Sequence, residues 1–116
     1  MGFDIYAYDD EKKTVAYFRT YMGGFRMMKE QGYDWFQLLR AEDCDGGVSG
    51  NGTEKLIRKN ALITALYVLK HFEVIELSRE GRDEISDCKI DLCVFMDKAI
   101  KWCEANDKEE ILVYFG

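Results

Sequence analysis

The chain contains no proline, and His71 is its single histidine in 116 residues. Without proline, the turns fall to the ten glycines. With one histidine, a tetrahedral zinc site would have to be built from cysteines, yet Cys44, Cys88, Cys93 and Cys103 form no CxxC pair. No stretch approaches the roughly 18 consecutive apolar residues that a membrane span needs. The opening Met1 to Tyr8 carries Asp4 where a signal peptide would be basic and then apolar, so the chain reads as unexported. Bases are in short supply: 16 Lys and Arg stand against 22 Asp and Glu, a formal charge of −6. That balance argues against nucleic-acid binding dominated by phosphate contacts. Ser49, Ser78 and Ser86 lie in no G-x-S-x-G elbow, which leaves serine-based catalysis without a scaffold.

What is present suffices for one packed α+β domain spanning residues 1–116. Hydrophobic residues make up 47% of the chain and aromatic residues 14%, well above the composition of disordered tails. Cys88, Cys93 and Cys103 fall within one helical pattern. Fifteen residues separate Cys88 from Cys103, about 22 Å along a helix axis, and Cys93 and Cys103 are about 15 Å apart, both beyond disulfide reach. Reduced thiols acting as small core residues in a reducing cytoplasm are the reading that fits.

Residues 3–8 alternate, with Phe3, Ile5 and Ala7 on one face and Asp4, Tyr6 and Tyr8 on the other. Residues 14–21 repeat the pattern, Ala16 and Phe18 opposing Val15, Tyr17, Arg19 and Tyr21, which predicts a β-hairpin. After Gly23 and Gly24, the residues Met27, Met28, Trp35, Phe36, Leu38 and Leu39 mark one or two short helices divided near Gly32. Residues 43–53 read as a loop. From Glu54 to Lys70 or His71 the three- and four-residue spacing of apolar residues predicts a helix, apolar on most sides and therefore central. Its N-cap is Asn51, with Glu54 at capping-box spacing, or Thr53. A further helix is expected over 83–104, with Ile85, Cys88, Leu92, Phe95, Met96, Ala99 and Cys103 inward. Residues 111–115 form a strand dense enough to be buried on both sides. The expected architecture is a two-layer α+β domain: the N-terminal β-hairpin and the C-terminal strand in one sheet, packed against three to four helices.

Two segments offer chemistry. In the loop, Asp43, Asp45, Ser49, Asn51 and Glu54 supply oxygens at positions one, three, seven, nine and twelve of a calcium-loop count, and would ligate a divalent cation. Gly47 at position five and Val48 at position six depart from that pattern. A phosphate cradle lacks its lysine there, and a plain glycine-rich connection is the alternative. Cys44 and His71 are the only conceivable thiol and imidazole pair. The acids flanking Cys44 disfavour a thiolate, and His71 reads instead as a helix C-terminal cap. The second segment is a dense aromatic and arginine group before residue 37, in which Arg19, Tyr21, Arg26, Tyr33 and Trp35 have the composition of an interface. Its alternative is a core of Phe18, Phe25, Trp35 and Phe36 fringed by tyrosines. Asp83, Glu84, Asp87, Asp91 and Asp97 on the late helix are ordinary surface charge or an acidic face for a basic partner.

The opening Met1-Gly2-Phe3-Asp4-Ile5-Tyr6, the triplet Tyr17-Phe18-Arg19 and Gly50-Asn51-Gly52 before a helix resemble a group of small phage and prophage proteins. The likeness covers roughly the first 60 residues. Where those proteins carry a tryptophan-rich stretch and a proline after the triplet, this chain has Tyr21-Met22-Gly23-Gly24-Phe25-Arg26. The resemblance implies a viral or mobile-element setting. With no catalytic set evident, the sequence reads as a non-enzymatic, cytoplasmic interaction protein that inhibits or regulates a protein partner. A ligand- or cation-dependent activity of the 43–54 loop and an immunity-type inhibitor of a basic toxin are the alternatives. The thiol reading has a direct consequence: denatured protein, prepared without reductant, should titrate all four cysteines with Ellman's reagent, and reductant should leave the melting temperature unchanged.

Overall fold

The computed structural model describes residues 2–44, 52–72 and 79–116. Strands β1 (Gly2–Tyr8) and β2 (Thr14–Tyr21) form the expected hairpin. Its turn is closed by Asp9, whose carboxylate accepts the amides of Glu11 and Lys13 at 2.9 and 2.8 Å. Helices α1 (Met22–Glu30) and α2 (Trp35–Leu38) follow, then a 3-10 turn over Glu42–Cys44. Strand β3 (Thr53–Arg58) leads directly into α3 (Lys59–Lys70), and α4 (Arg79–Ala105) precedes β4 (Glu110–Phe115). The sheet is antiparallel in the order β2-β1-β4-β3, so the C-terminal strand pairs with the N-terminal hairpin as expected.

Strand β3 departs from the sequence reading. Residues 54–58 were expected to open the helix, but they pair with β4 from Thr53↔Phe115 to Arg58↔Glu110. Leu56 and Ile57, adjacent apolar residues, satisfy a helical stripe and a strand equally well; only the free edge of β4 decides between them. The helix therefore starts at Lys59, with Arg58 in the N-cap position and no side-chain cap, and neither Asn51 nor Thr53 caps it. A second correction concerns α3, which is not surrounded. Leu62, Ala65, Leu66 and Leu69 are buried, while Ile63, Tyr67 and Val68 are exposed. A third concerns β4, whose burial alternates along the strand rather than covering both faces. One of its faces meets the helices and the other does not.

The core lies between the sheet and the helix layer and is organised around Trp35, 1% exposed. Its ring stacks on Phe25 of α1 at 5.4 Å and meets Phe36 at 5.3 Å, Phe115 of β4 at 5.9 Å, and Phe18 of β2 and Phe95 of α4 both at 6.1 Å. Its indole N–H donates to the Met96 sulfur at 3.4 Å. The predicted inner stripe of α4 holds for every side chain the structure describes: Cys88, Leu92, Phe95, Met96, Ala99 and Cys103 are buried, and the Ile85 side chain lies outside the described set. All four cysteines are free, with Cys93 alone partly accessible.

Three of the helices end in the same way. In each, the residue beyond the C-cap adopts a left-handed conformation, and the amide after it reaches back to a carbonyl of the last turn, as in a Schellman motif. Gly32 (φ 101°) closes α1, with the Tyr33 amide on the Met28 carbonyl at 2.8 Å. Asp107 (φ 53°) closes α4, with the Lys108 amide on the Cys103 carbonyl at 2.8 Å. Arg40 (φ 59°) closes α2, with the Ala41 amide on the Phe36 carbonyl at 2.8 Å. Glycine meets this geometry without cost and aspartate tolerates it, whereas a long L side chain is disfavoured by roughly 1–2 kcal/mol.

Tyr33 joins the short helices to α3: it is 1% exposed, and its hydroxyl donates to the Ala65 carbonyl at 2.8 Å. Burial raises its phenol pKa well above the ordinary value near 10. The folded state then holds its proton where the unfolded chain has lost it, so this contribution is complete below pH 10 and declines as pH rises beyond it. Tyr33→Phe should cost about 1 kcal/mol in urea denaturation at pH 7. The gap from the wild type should narrow at pH 11, because only the wild type carries the Tyr33 titration.

Candidate functional site: the open face of the sheet

Because the helices all pack on one side, strand alternation delivers a second set of side chains to the other side. Nothing among the described residues covers that face. Its middle row runs Tyr17, Tyr6, Tyr114 and Glu54 across β2, β1, β4 and β3, each residue opposite the next in register. The adjoining row is Tyr8, Leu112 and Leu56. The rings interact directly: Tyr6 lies 4.6 Å from Tyr17, stacks with Tyr8 at 5.7 Å within 4° of parallel, and meets Tyr114 edge-on at 6.0 Å. Four tyrosines thus form a contiguous patch, with Leu56 (57% exposed) and Tyr17 (47% exposed) standing proud of it.

The charges flanking the tyrosines are paired. Arg19 meets Asp4 at 3.4 Å, and the Tyr17 hydroxyl donates to the same carboxylate at 2.8 Å. On the other flank Lys12, at the hairpin turn, reaches Glu54 on β3 at 3.3 Å. The bond to Asp4, followed by desolvation, raises the Tyr17 pKa, since ionising the phenol would remove the donor and set two anions together. Tyr8 is raised as well, chiefly by desolvation within the patch.

The residues singled out from sequence are distributed differently. Arg19 is on the open face, and Tyr21 is opposite Gly2 in the hairpin register. Arg26 is exposed on α1, in the helix layer across the sheet, and so shares no site with Arg19. Tyr33 and Trp35 are interior residues tied to Ala65 and Met96, which removes both from any contact surface and corrects the expectation that they anchor one. The exposed aromatic patch of the sheet is built from other tyrosines than those the sequence singled out. Tyr6, Tyr8 and Tyr114 were missed, although the alternation of residues 3–8 already set Tyr6 and Tyr8 opposite Ile5 and Ala7.

In the proposed cation set, Asp45, Ser49 and Asn51 lie outside the described residues. The other two are drawn apart. Asp43 pairs with Lys55 at 2.7 Å, Glu54 with Lys12, and strand alternation sends Glu54 and Lys55 to opposite faces of β3. The Lys55 ammonium holds the Asp43 carboxyl below its ordinary range. A calcium loop would also hand Glu54 to a helix, and here it enters a strand. Among the described residues no three metal-ligating side chains converge. Cys44 is buried, and desolvation with the neighbouring Asp43 raises its thiol pKa, the opposite of nucleophile activation. His71 caps α3: with a carbonyl as its partner, Nδ1 is the donor, to Tyr67 at 2.8 Å.

Asp4→Ala should return the Tyr17 pKa toward its usual value near 10, measurable from the pH dependence of its ring resonances by NMR. An unchanged titration would show that Asp4 does not govern this tyrosine. Comparison of the chain with protein-family models, with curated proteins and with solved structures finds no match, so the functional reading rests on the chemistry of this face.

Proposed function

We propose that the protein is a non-enzymatic binding module of viral or mobile-element type, which inhibits or regulates a host or defence protein by docking it on the open face of the sheet. The observation that carries this is the patch of Tyr6, Tyr8, Tyr17 and Tyr114, extended by Leu56 and Leu112 and left uncovered by the described elements. Tyrosine gives a large contact area at low conformational cost and keeps a hydroxyl for polar contacts, which is why it anchors protein interfaces. Stacking platforms for single-stranded nucleic acid also use exposed aromatics, but they combine them with a groove of available cations. Here Arg19 and Lys12 are each paired to a carboxylate of the same face. The complementary partner is therefore a protein surface with an apolar, weakly charged centre, and its binding should be insensitive to salt.

The immunity-type reading depends instead on the acids of α4. Asp97 is paired with Lys101 at 2.9 Å, which weakens the acidic field. Affinity capture from a host lysate separates the two readings. A partner held through the sheet face is retained at high salt, is lost with Leu56→Ser or Tyr17→Ser, and survives Tyr67→Ser on the opposite side of the molecule. Equal loss with Tyr67→Ser, or elution by salt alone, would overturn the assignment. Both sheet-face residues are largely exposed, so these substitutions should leave the fold intact, which circular dichroism can check.

A further inference from the structure

A cleft of about 690 Å³ opens beside α2 and α3, and none of the four tyrosines of the open face lines it. Arg40 and Arg58 line it from separate elements, together with Gln37, Asn60, Thr64 and the carboxylate-bearing Glu42. Neither arginine forms a salt bridge among the described residues, a property they share with the exposed Arg26, Lys70 and Lys98. The start of α3 adds to the same cleft. Its N-cap is Arg58, whose side chain caps nothing, and the first-turn residues Asn60 and Ala61 are among the lining.

Arg40 is the unusual member. It holds the left-handed position that closes α2, where α1 uses Gly32 and α4 uses Asp107. A glycine would serve that backbone better, so what distinguishes arginine there is its side chain, and the side chain borders this cleft. Two guanidinium groups outnumber the Glu42 carboxylate and, with the neutral amide and hydroxyl donors of the same lining, form a recognition set for phosphate oxygens. The volume lies in the range of small-molecule sites. A second hollow of about 280 Å³ shares Arg58 and Asn60 and is bordered by Glu109 and Glu110. Those acids repel an anion and accept hydrogen bonds, so they suit the hydroxyl-bearing remainder of a ligand rather than its phosphate.

We infer that this cleft binds a phosphorylated small molecule, its phosphate held by Arg40 and Arg58 and its hydroxyl groups directed toward Glu109 and Glu110. Isothermal titration with ribose 5-phosphate, and with ribose as the uncharged control, tests it on the intact protein. The expected result is millimolar or tighter binding of the phosphate ester and none of ribose, with affinity falling about tenfold or more in Arg58→Gln and in Arg40→Gly. Because Arg40→Gly relieves the backbone, it should also raise the melting temperature of the unliganded protein by roughly 4 °C, so its loss of binding cannot be ascribed to unfolding. No heat with ribose 5-phosphate, or equal affinity in both variants and the wild type, overturns the inference.

Discussion

The structure depends on the burial of Trp35. Its indole touches aromatic rings from β2, α1, α4 and β4 and donates to Met96, so one side chain fixes the distance between sheet and helices. Each aromatic contact adds roughly 0.5–1.5 kcal/mol beyond area burial, and the cluster joins residues close to both ends of the chain. The shortness of α2 follows from this role. It is a single turn, started by the Asp34 carboxylate on the Gln37 amide at 3.2 Å and stopped by the left-handed Arg40, and it places Trp35 and Phe36 in the core.

Packing every helix against one side of the sheet determines where function can lie. A strand sends alternate side chains to each face, so a covered face necessarily produces an uncovered one. In this chain the uncovered residues are tyrosines, with their flanking charges paired. Beside α2 and α3 a cleft is lined by Arg40 and Arg58, which form no salt bridge among the described residues. The two features share no residue, one built from tyrosines and leucines, the other holding two arginines, and they select different kinds of ligand.

Much of this fold is legible in the sequence. The hairpin, the two short helices around Gly32, the inner stripe of α4 and the membership of the C-terminal strand in the sheet all follow from local periodicity. The failures have a common physical cause. Glu54 to Arg58 has apolar residues in adjacent positions, a pattern compatible with helix or strand, and the pairing that settles it comes from β4, more than fifty residues later in the chain. Ile63, Tyr67 and Val68 made α3 look enclosed because apolar content does not report which neighbours exist. Trp35 and Tyr33 looked like interface residues because composition does not distinguish a buried aromatic with a satisfied polar atom from an exposed one.

Sequence alone determined the class of the protein: a thiol-containing, proline-free α+β domain with an acidic surface and periodicities that specify most of its elements. Those properties are local, set by side-chain spacing and backbone preference. Only the tertiary structure decided which aromatics are interior and which form a surface, that Asp43 and Glu54 pair with lysines on opposite faces of β3, and that Arg40 and Arg58 share a cleft. These are relations between residues far apart in the chain, and they exist only once β4 has closed the sheet and Trp35 has drawn the helices onto one side of it.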